Sequence, residues 1–248
     1  MHFLVTNDDG VQSPALAQLR SRLARLGRVS IVAPDRNQSA TSQALTLHRP
    51  LRIHAMGEDT WAVDGTPADC VLVAFHGRIM ERPTFVVSGI NHGPNMGEDV
   101  FYSGTVAAAI EGSLQGVPAL AASLVTRQPT DFAEPADMVG ELLEQLLQRE
   151  VHPRTLLNVN FPFRPRAEIA GLQVTRLGSR VYEDTLVRKV DPRGRDYYWI
   201  GGEDPVWRPE PGTDFHAAHS GYVSVTPMHL DLTDASALRA LREQPLTL

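Results

Sequence analysis

The 248 residues carry 23 Lys and Arg against 29 Asp and Glu, and the formal charge of −6 argues against a broad face for duplex nucleic acid or membrane. The single cysteine, Cys70, excludes an intrachain disulfide, and it lies in an apolar run, residues 70–75, as a small buried hydrophobe rather than a nucleophile. The length suits one large α/β domain; with no basic and apolar leader and no apolar run near the roughly 18 residues that span a bilayer, a cytoplasmic protein is expected.

In chain order, Phe3-Leu4-Val5-Thr6 has strand length and no polar alternation, so it reads as a strand buried on both faces. Asn7-Asp8-Asp9-Gly10 stops it. Ligands of open parallel sheets bind beyond the carboxyl ends of strands, where Asp8 and Asp9 then lie. Two adjacent carboxylates repel each other until a cation neutralises them, and hard oxygen donors suit Mg²⁺, Mn²⁺ or Ca²⁺. The alternative is a solvated turn, since Asn, Asp and Gly are common turn residues. Ser13-Pro14 opens a helix with Ser as N-cap and Pro first, Leu16, Leu19, Leu23 and Leu26 form one stripe, and Gly27 ends it. Residues 29–33 supply a second strand, stopped by Pro34, completing a right-handed βαβ unit. The polar loop 34–42 follows at the same edge as Asp8 and Asp9.

Residues 45–55 and 60–63 read as short extended segments, and Thr66-Pro67-Ala68-Asp69 opens a helix by the same cap-then-proline logic. Residues 84–88 form a buried strand, and 89–105 an irregular loop with glycines and a proline before a small-residue helix over 106–112. A helix beginning after Ser103-Gly104-Thr105 offers unpaired N–H groups, a positive dipole end and two hydroxyls, a site for phosphate; these are also ordinary capping residues. His92, within that loop, is placed to touch substrate, and an imidazole there suits proton transfer.

A strand over 117–124, an amphipathic helix over 135–148 and a strand over 155–160 follow. Residues 172–200 turn to extended segments about Asp191-Pro192-Arg193-Gly194 and read as a projecting β-hairpin. A short helix over 213–219, a strand over 222–226 and a last helix from about 233 complete the chain. His216 and His219 have a spacing that can hold a metal, but no third ligand follows, so a surface or structural role is the reading.

Several blocks coincide with one family: Asn7-Asp8-Asp9-Gly10, Ala33-Pro34-Asp35-Arg36-Asn37-Gln38-Ser39, Gly65-Thr66-Pro67-Ala68-Asp69-Cys70, the run from Ser88 to Gly97, Tyr102-Ser103-Gly104-Thr105-Val106 and Gly221-Tyr222-Val223-Ser224-Val225-Thr226-Pro227. In this order, along nearly the whole chain, the sequence strongly resembles the SurE (survival protein E) nucleotidases. The resemblance implies a Rossmann-like three-layer core with a mostly parallel sheet, a projecting hairpin (about 172–200) and an exchanged C-terminal segment (about 233–248) on one domain spanning 1–248, its core about 1–171 with 201–232.

It further implies a metal-dependent phosphatase of nucleoside 5'-monophosphates, with 3'-monophosphates and polyphosphate as open further substrates. Asp8 and Asp9 would be catalytic. One divalent ion per subunit, Mg²⁺ or Mn²⁺, would be held by Asp8, Asp9, Ser39 and Asn91. Asn95, Ser103, Gly104 and Thr105 would contact phosphate, with His92 at the substrate, in a homodimer or homotetramer. Ala40 and Ala107 stand where glycine is frequent in the family. A dinucleotide-binding dehydrogenase is disfavoured, because the first βα turn lacks Gly-x-Gly-x-x-Gly. A noncatalytic phosphoacceptor module would leave Ser103-Gly104-Thr105 unexplained.

Overall fold

The computed structural model describes residues 1–128, 131–181, 186–200, 206–208 and 210–244. Parts of the expected hairpin (182–185) and C-terminal segment (245–248) lie outside these residues. The elements are β1 (His2–Thr6), α1 (Pro14–Leu23), β2 (Arg28–Pro34), β3 (Ile53–Gly57), β4 (Thr60–Val63), α2 (Pro67–His76), β5 (Phe85–His92), α3 (Gly104–Leu114), β6 (Ala119–Val125), α4 (Ala133–Leu147) and β7 (Leu156–Pro162). They continue with β8 (Gly171–Val174), β9 (Arg180–Val181), β10 (Leu186–Val190), β11 (Asp196–Ile200), β12 (Val206–Trp207), α5 (Asp214–His219), β13 (Tyr222–Pro227) and α6 (Ala235–Glu243).

The main sheet has nine strands in the order β3-β4-β2-β1-β5-β6-β7-β13-β8. From β4 to β7 all neighbours are parallel. Counted in chain order among themselves, these six strands run 3-2-1-4-5-6, the doubly wound Rossmann arrangement. Its switch point lies between β1 and β5, which pair from Phe3↔Phe85 to Thr6↔Ser88. The acidic turn therefore leaves the sheet where the strand order reverses, the place at which such sheets open a crevice for ligand.

All five residues of β1 are buried, because side chains of alternating direction each meet a helical layer. Phe3 and Val5 pack with Leu16, Leu19 and Leu23 of α1 and Leu143 of α4. Leu4, pointing the other way, packs with Val71 of α2 and Val106, Ala108 and Ala109 of α3. Small side chains draw α3 onto the sheet: a Cβ on Gly112 would lie 2.6 Å from Val86. Truncating any large member of this core to alanine costs about 2–5 kcal/mol.

Local signals were followed with some displacement. Thr66 and Asp69 form a reciprocal capping box on α2, each side chain accepting the other's backbone N–H. Ser13 precedes α1 without a side-chain cap bond, and α1 ends at Leu23 rather than running to Gly27. Leu26 still packs on the core from the following turn. Residues 89–92, expected in a loop, extend β5 past an irregularity between Ser88 and Asn91, where they still find partners on β6.

The projecting ribbon is shorter than expected, because β8 joins the main sheet beside β13, leaving β10 and β11 as a separate antiparallel pair. That pair is exposed along its whole length, Trp199 by 63% and Ile200 by 89%. The α6 helix, capped by Asp234, buries no residue.

Candidate active site

The first turn of α3 meets the end of β1. The Thr105 hydroxyl donates to Oδ1 of Asp8, and Gly104 permits the approach, since a Cβ there would lie 2.8 Å from Asp8 Cβ. Ser103 accepts from the Val106 amide at 3.1 Å as the N-cap of α3. Asp8 and Thr105 are buried, at 4% and 0% exposure. Burial pushes the Asp8 carboxyl above its ordinary pKa, against the opposing pull of the Thr105 hydroxyl.

Asp9 is lifted to about 6, first by burial and then by the charge of Asp8 beside it, with the neighbouring His92 pulling it back. Two adjacent carboxylates, both held above their normal range, form a site that gains from positive charge. Their turn is fixed by Asn7, whose side chain both donates to the Gly10 carbonyl and accepts from the Gly10 amide, each at 3.1 Å.

Ser39 and Asn91 reach this neighbourhood from two sides. The Gln38 amide donates to the Asp8 carbonyl at 2.7 Å, which ties the 34–42 loop to the acidic turn one residue before Ser39. Ser39 is exposed, and its hydroxyl makes no hydrogen bond among the described residues. Ala40 takes a φ of 59°, a region that favours glycine, which accounts for the glycine frequent there in the resembled family. Asn91, at the end of β5 next to β1, donates from Nδ2 to the Gly93 carbonyl at 2.8 Å and keeps its side-chain oxygen without a donor among the described residues. Two carboxylates, a hydroxyl and an amide oxygen are hard donors and suit a small divalent cation. Among the described residues no three His, Cys, Asp or Glu side chains converge for a metal, so any such site must rely on neutral oxygens.

Asn95 is held by a buried amide cluster. Its amide N–H donates to Asn160 Oδ1 at 2.9 Å, its carbonyl accepts from Asn158 and Asn160 at 2.8 and 3.0 Å, and its Nδ2 donates to Ser123 Oγ at 2.8 Å. These braces were not picked out from sequence. The signal was present: Asn158 and Asn160 are polar at period two within a strand otherwise buried and apolar. The following segment is anchored by Asp214, which accepts from the amides of Gly97, Gly178 and Phe215 at 2.8–2.9 Å.

The His92 backbone lies at Asp9, while its ring contacts the Gln128 carbonyl and the edge of Phe132, 6.2 Å between centroids. No third metal-ligating side chain joins His216 and His219 among the described residues, and the His219 ring stacks on Phe215. Cys70 is fully buried and its thiol is pushed well above its normal pKa by burial, which makes it inert. A larger cavity of about 500 Å³ lies elsewhere, between Ile110 and Leu114 of α3 and Met228, Leu230 and Leu232 beyond β13. Among the described residues its lining holds no carboxylate. Among the described residues no helix is long and apolar enough to cross a membrane.

Fold and site together define a doubly wound α/β protein with an acidic pair at its switch point and a helix start facing that pair. A family model described as Survival protein SurE matches residues 3–184. The 5'-nucleotidase SurE of Gemmatimonas aurantiaca is 50% identical over 247 residues, covering 98% of each protein. That of Geobacter sulfurreducens is 48% identical over 248 residues, covering 100% of this chain and 95% of its own. The crystal structure of SurE protein from Aquifex aeolicus matches with a TM-score of 0.88 at 43% identity, covering 98% of this chain and 99% of that one. The chain belongs to the SurE family.

Proposed function

We infer that this chain is a metal-dependent 5'-nucleotidase, a phosphoric monoester hydrolase that converts nucleoside 5'-monophosphates to nucleoside and phosphate. The observation that carries the reading is the likeness, along almost the full length, to proteins named 5'-nucleotidase SurE. The site chemistry agrees with it, since the raised carboxyls of Asp8 and Asp9 call for a cation and the start of α3 for an anion.

One divalent ion per subunit, Mg²⁺ or Mn²⁺ by the hardness of the donors, would be held by Asp8, Asp9, Ser39 and Asn91. When bound it supplies charge neutralisation and polarisation of a phosphoryl oxygen. Thr105 fixes the rotamer of Asp8, so the two carboxylates present one geometry. The Gly104 amide, unpaired within the helix, and the hydroxyl of Ser103 face the negative charge of the phosphate, and the braced Asn95 supplies a further donor. Water attacks phosphorus in line, the P–O bond to the sugar breaks, and the leaving oxygen takes up a proton. Direct attack by water is preferred to attack by Asp8, whose Oδ1 is engaged by Thr105 and which is needed beside Asp9. His92 completes the site from the Asp9 side and contacts substrate.

The reading extends to assembly as a homodimer or homotetramer. The β10–β11 ribbon is too thin to bury Tyr198, Trp199 and Ile200, and α6 leaves Leu238 and Leu241 exposed. Two-stranded ribbons are marginal alone in water and exposed apolar patches mark contacts, so a second copy is the cover proposed for both. The lone, unpaired Cys70 fits a reducing cytoplasm. Phosphate release from a panel of 5'- and 3'-nucleotides and polyphosphate, with Mg²⁺ or Mn²⁺ and with chelator, tests the reading: metal-dependent release from 5'-monophosphates supports it, and none with either ion refutes it.

A further inference from the structure

Beyond Asn95, the same edge of the sheet carries a pocket of about 250 Å³ that the chemistry above leaves unused. The residues holding Asn95 lead straight into its walls. Asn95 is followed by Met96, Ser123 by Val125 two positions on, and Asn160 by Pro162 two positions on, and all three of these later residues line the pocket. Two residues along a strand advance it by ~6.6 Å, the scale of the step from a 5'-phosphate across one ribose to its base.

The facing wall is aromatic. Phe215 stacks on Trp207 with ring centroids 5.3 Å apart and planes at 23°, and on His219 at 5.9 Å and 20°. Met96, Trp207 and Ala218 form a small satellite core that holds this stack in place. Phe163 and His219 also line the pocket, and both are exposed, Phe163 by 47%, the stack on Phe215 covering only one face of the His219 ring. Arg164 is anchored at the rim, donating from Nη2 to the His219 carbonyl at 3.1 Å.

We propose that this pocket is the nucleobase subsite, with Phe163 and His219 as the aromatic surfaces against which the base of the substrate stacks and Phe215 backing His219. The proposal rests on the nucleotidase reading and adds to it the residues that select a nucleotide over a simple sugar phosphate. Flat aromatic walls with a few polar groups at the rim match a flat heterocycle. Among the described residues no carboxylate lines the pocket, so a cationic group gains nothing there, and the one arginine they supply, already engaged, makes it a poor second phosphate site.

The test compares AMP with ribose 5-phosphate, which share the reacting phosphate and sugar and differ in the base. The wild-type chain should show the higher kcat/KM on AMP. Phe163→Ala and His219→Ala, both at exposed positions, should raise KM for AMP roughly tenfold, the effect of losing one base-stacking surface, with kcat and the ribose 5-phosphate constants little changed. Phe215→Leu keeps an apolar side chain in the satellite core and should act in the same sense. Equal loss on both substrates, no change on either, or a wild-type enzyme indifferent to the base would overturn the subsite and leave the nucleotidase reading standing. A wild-type chain that hydrolyses neither substrate with Mg²⁺ or Mn²⁺ would bring down that reading and the subsite with it.

Discussion

The hydroxyl of Thr105, in the first turn of α3, is hydrogen-bonded to the carboxylate of Asp8, at the end of β1, across 97 positions of sequence. Thr105 is expected to contact phosphate, and its hydroxyl also orients a carboxylate. Thr105→Val, which keeps the shape and removes the donor, should raise the Mn²⁺ concentration for half-maximal rate about 10–100-fold, the usual cost of losing a group that orients a metal ligand. Thr105→Ser should retain most of the wild-type response. A Val variant with an unchanged metal curve and a raised KM for AMP would show that the hydroxyl serves the phosphate rather than the metal ligand.

Asp9 makes the metal-free protein sensitive to pH. Its folded pKa of about 6 lies above the ordinary 3.8, so the folded state binds the extra proton. The resulting penalty is absent at pH values below the ordinary one, grows as pH rises between the two, and is complete above the folded value. In chelator, Asp9→Asn should therefore melt higher than wild type at pH 7 and no higher at pH 3.5. Excess Mn²⁺ at pH 7 should raise the wild-type melting temperature more than that of the variant. A melting difference in chelator that is flat across this range would contradict the burial assigned to Asp9.

The amide cluster predicts a split between stability and metal use. Asn160→Ala leaves the buried Asn95 N–H without its acceptor and should cost about 1–3 kcal/mol in urea unfolding, with turnover lowered at every metal concentration. Asn95→Ala should cost about 10²-fold in rate as a lost oxyanion donor, with the metal requirement little changed. A change confined to the metal titration would place Asn95 among the cation's ligands instead.

Much of this fold could be read locally. Buried strands, proline-started helices and glycine stops are signals within a few residues, and they delivered the alternation behind the parallel sheet. Harder to read were features set by distant partners. Nothing local in β8 tells that it pairs with β13, and β5 runs on through Asn91 because β6 offers a register past the irregularity. At the site, Asp8 and Asp9 announce themselves as adjacent charges in a turn. The bond from Thr105 to Asp8, and the bracing of Asn95 by residues more than 60 positions away on β7, exist only once the sheet is assembled.

Assembly is checked by light scattering on the intact chain and on one lacking residues 186–200. The intact protein should scatter as a dimer or larger, and deletion of the exposed ribbon should lower that state. A monodisperse particle near 27.2 kDa from the intact chain at micromolar concentration would contradict the proposed cover for the ribbon and α6.

The most direct test is phosphate release from AMP, titrated with Mn²⁺, for the wild type beside Asp8→Asn, with circular dichroism confirming that both are folded. The acidic switch point predicts saturable, chelator-sensitive turnover in the wild type. It also predicts a loss of most activity in the variant, at least about 10²-fold, that excess Mn²⁺ does not restore, because an amide leaves one carboxylate facing the cation. A folded Asp8→Asn protein that turns over near the wild-type rate at saturating Mn²⁺ would contradict it.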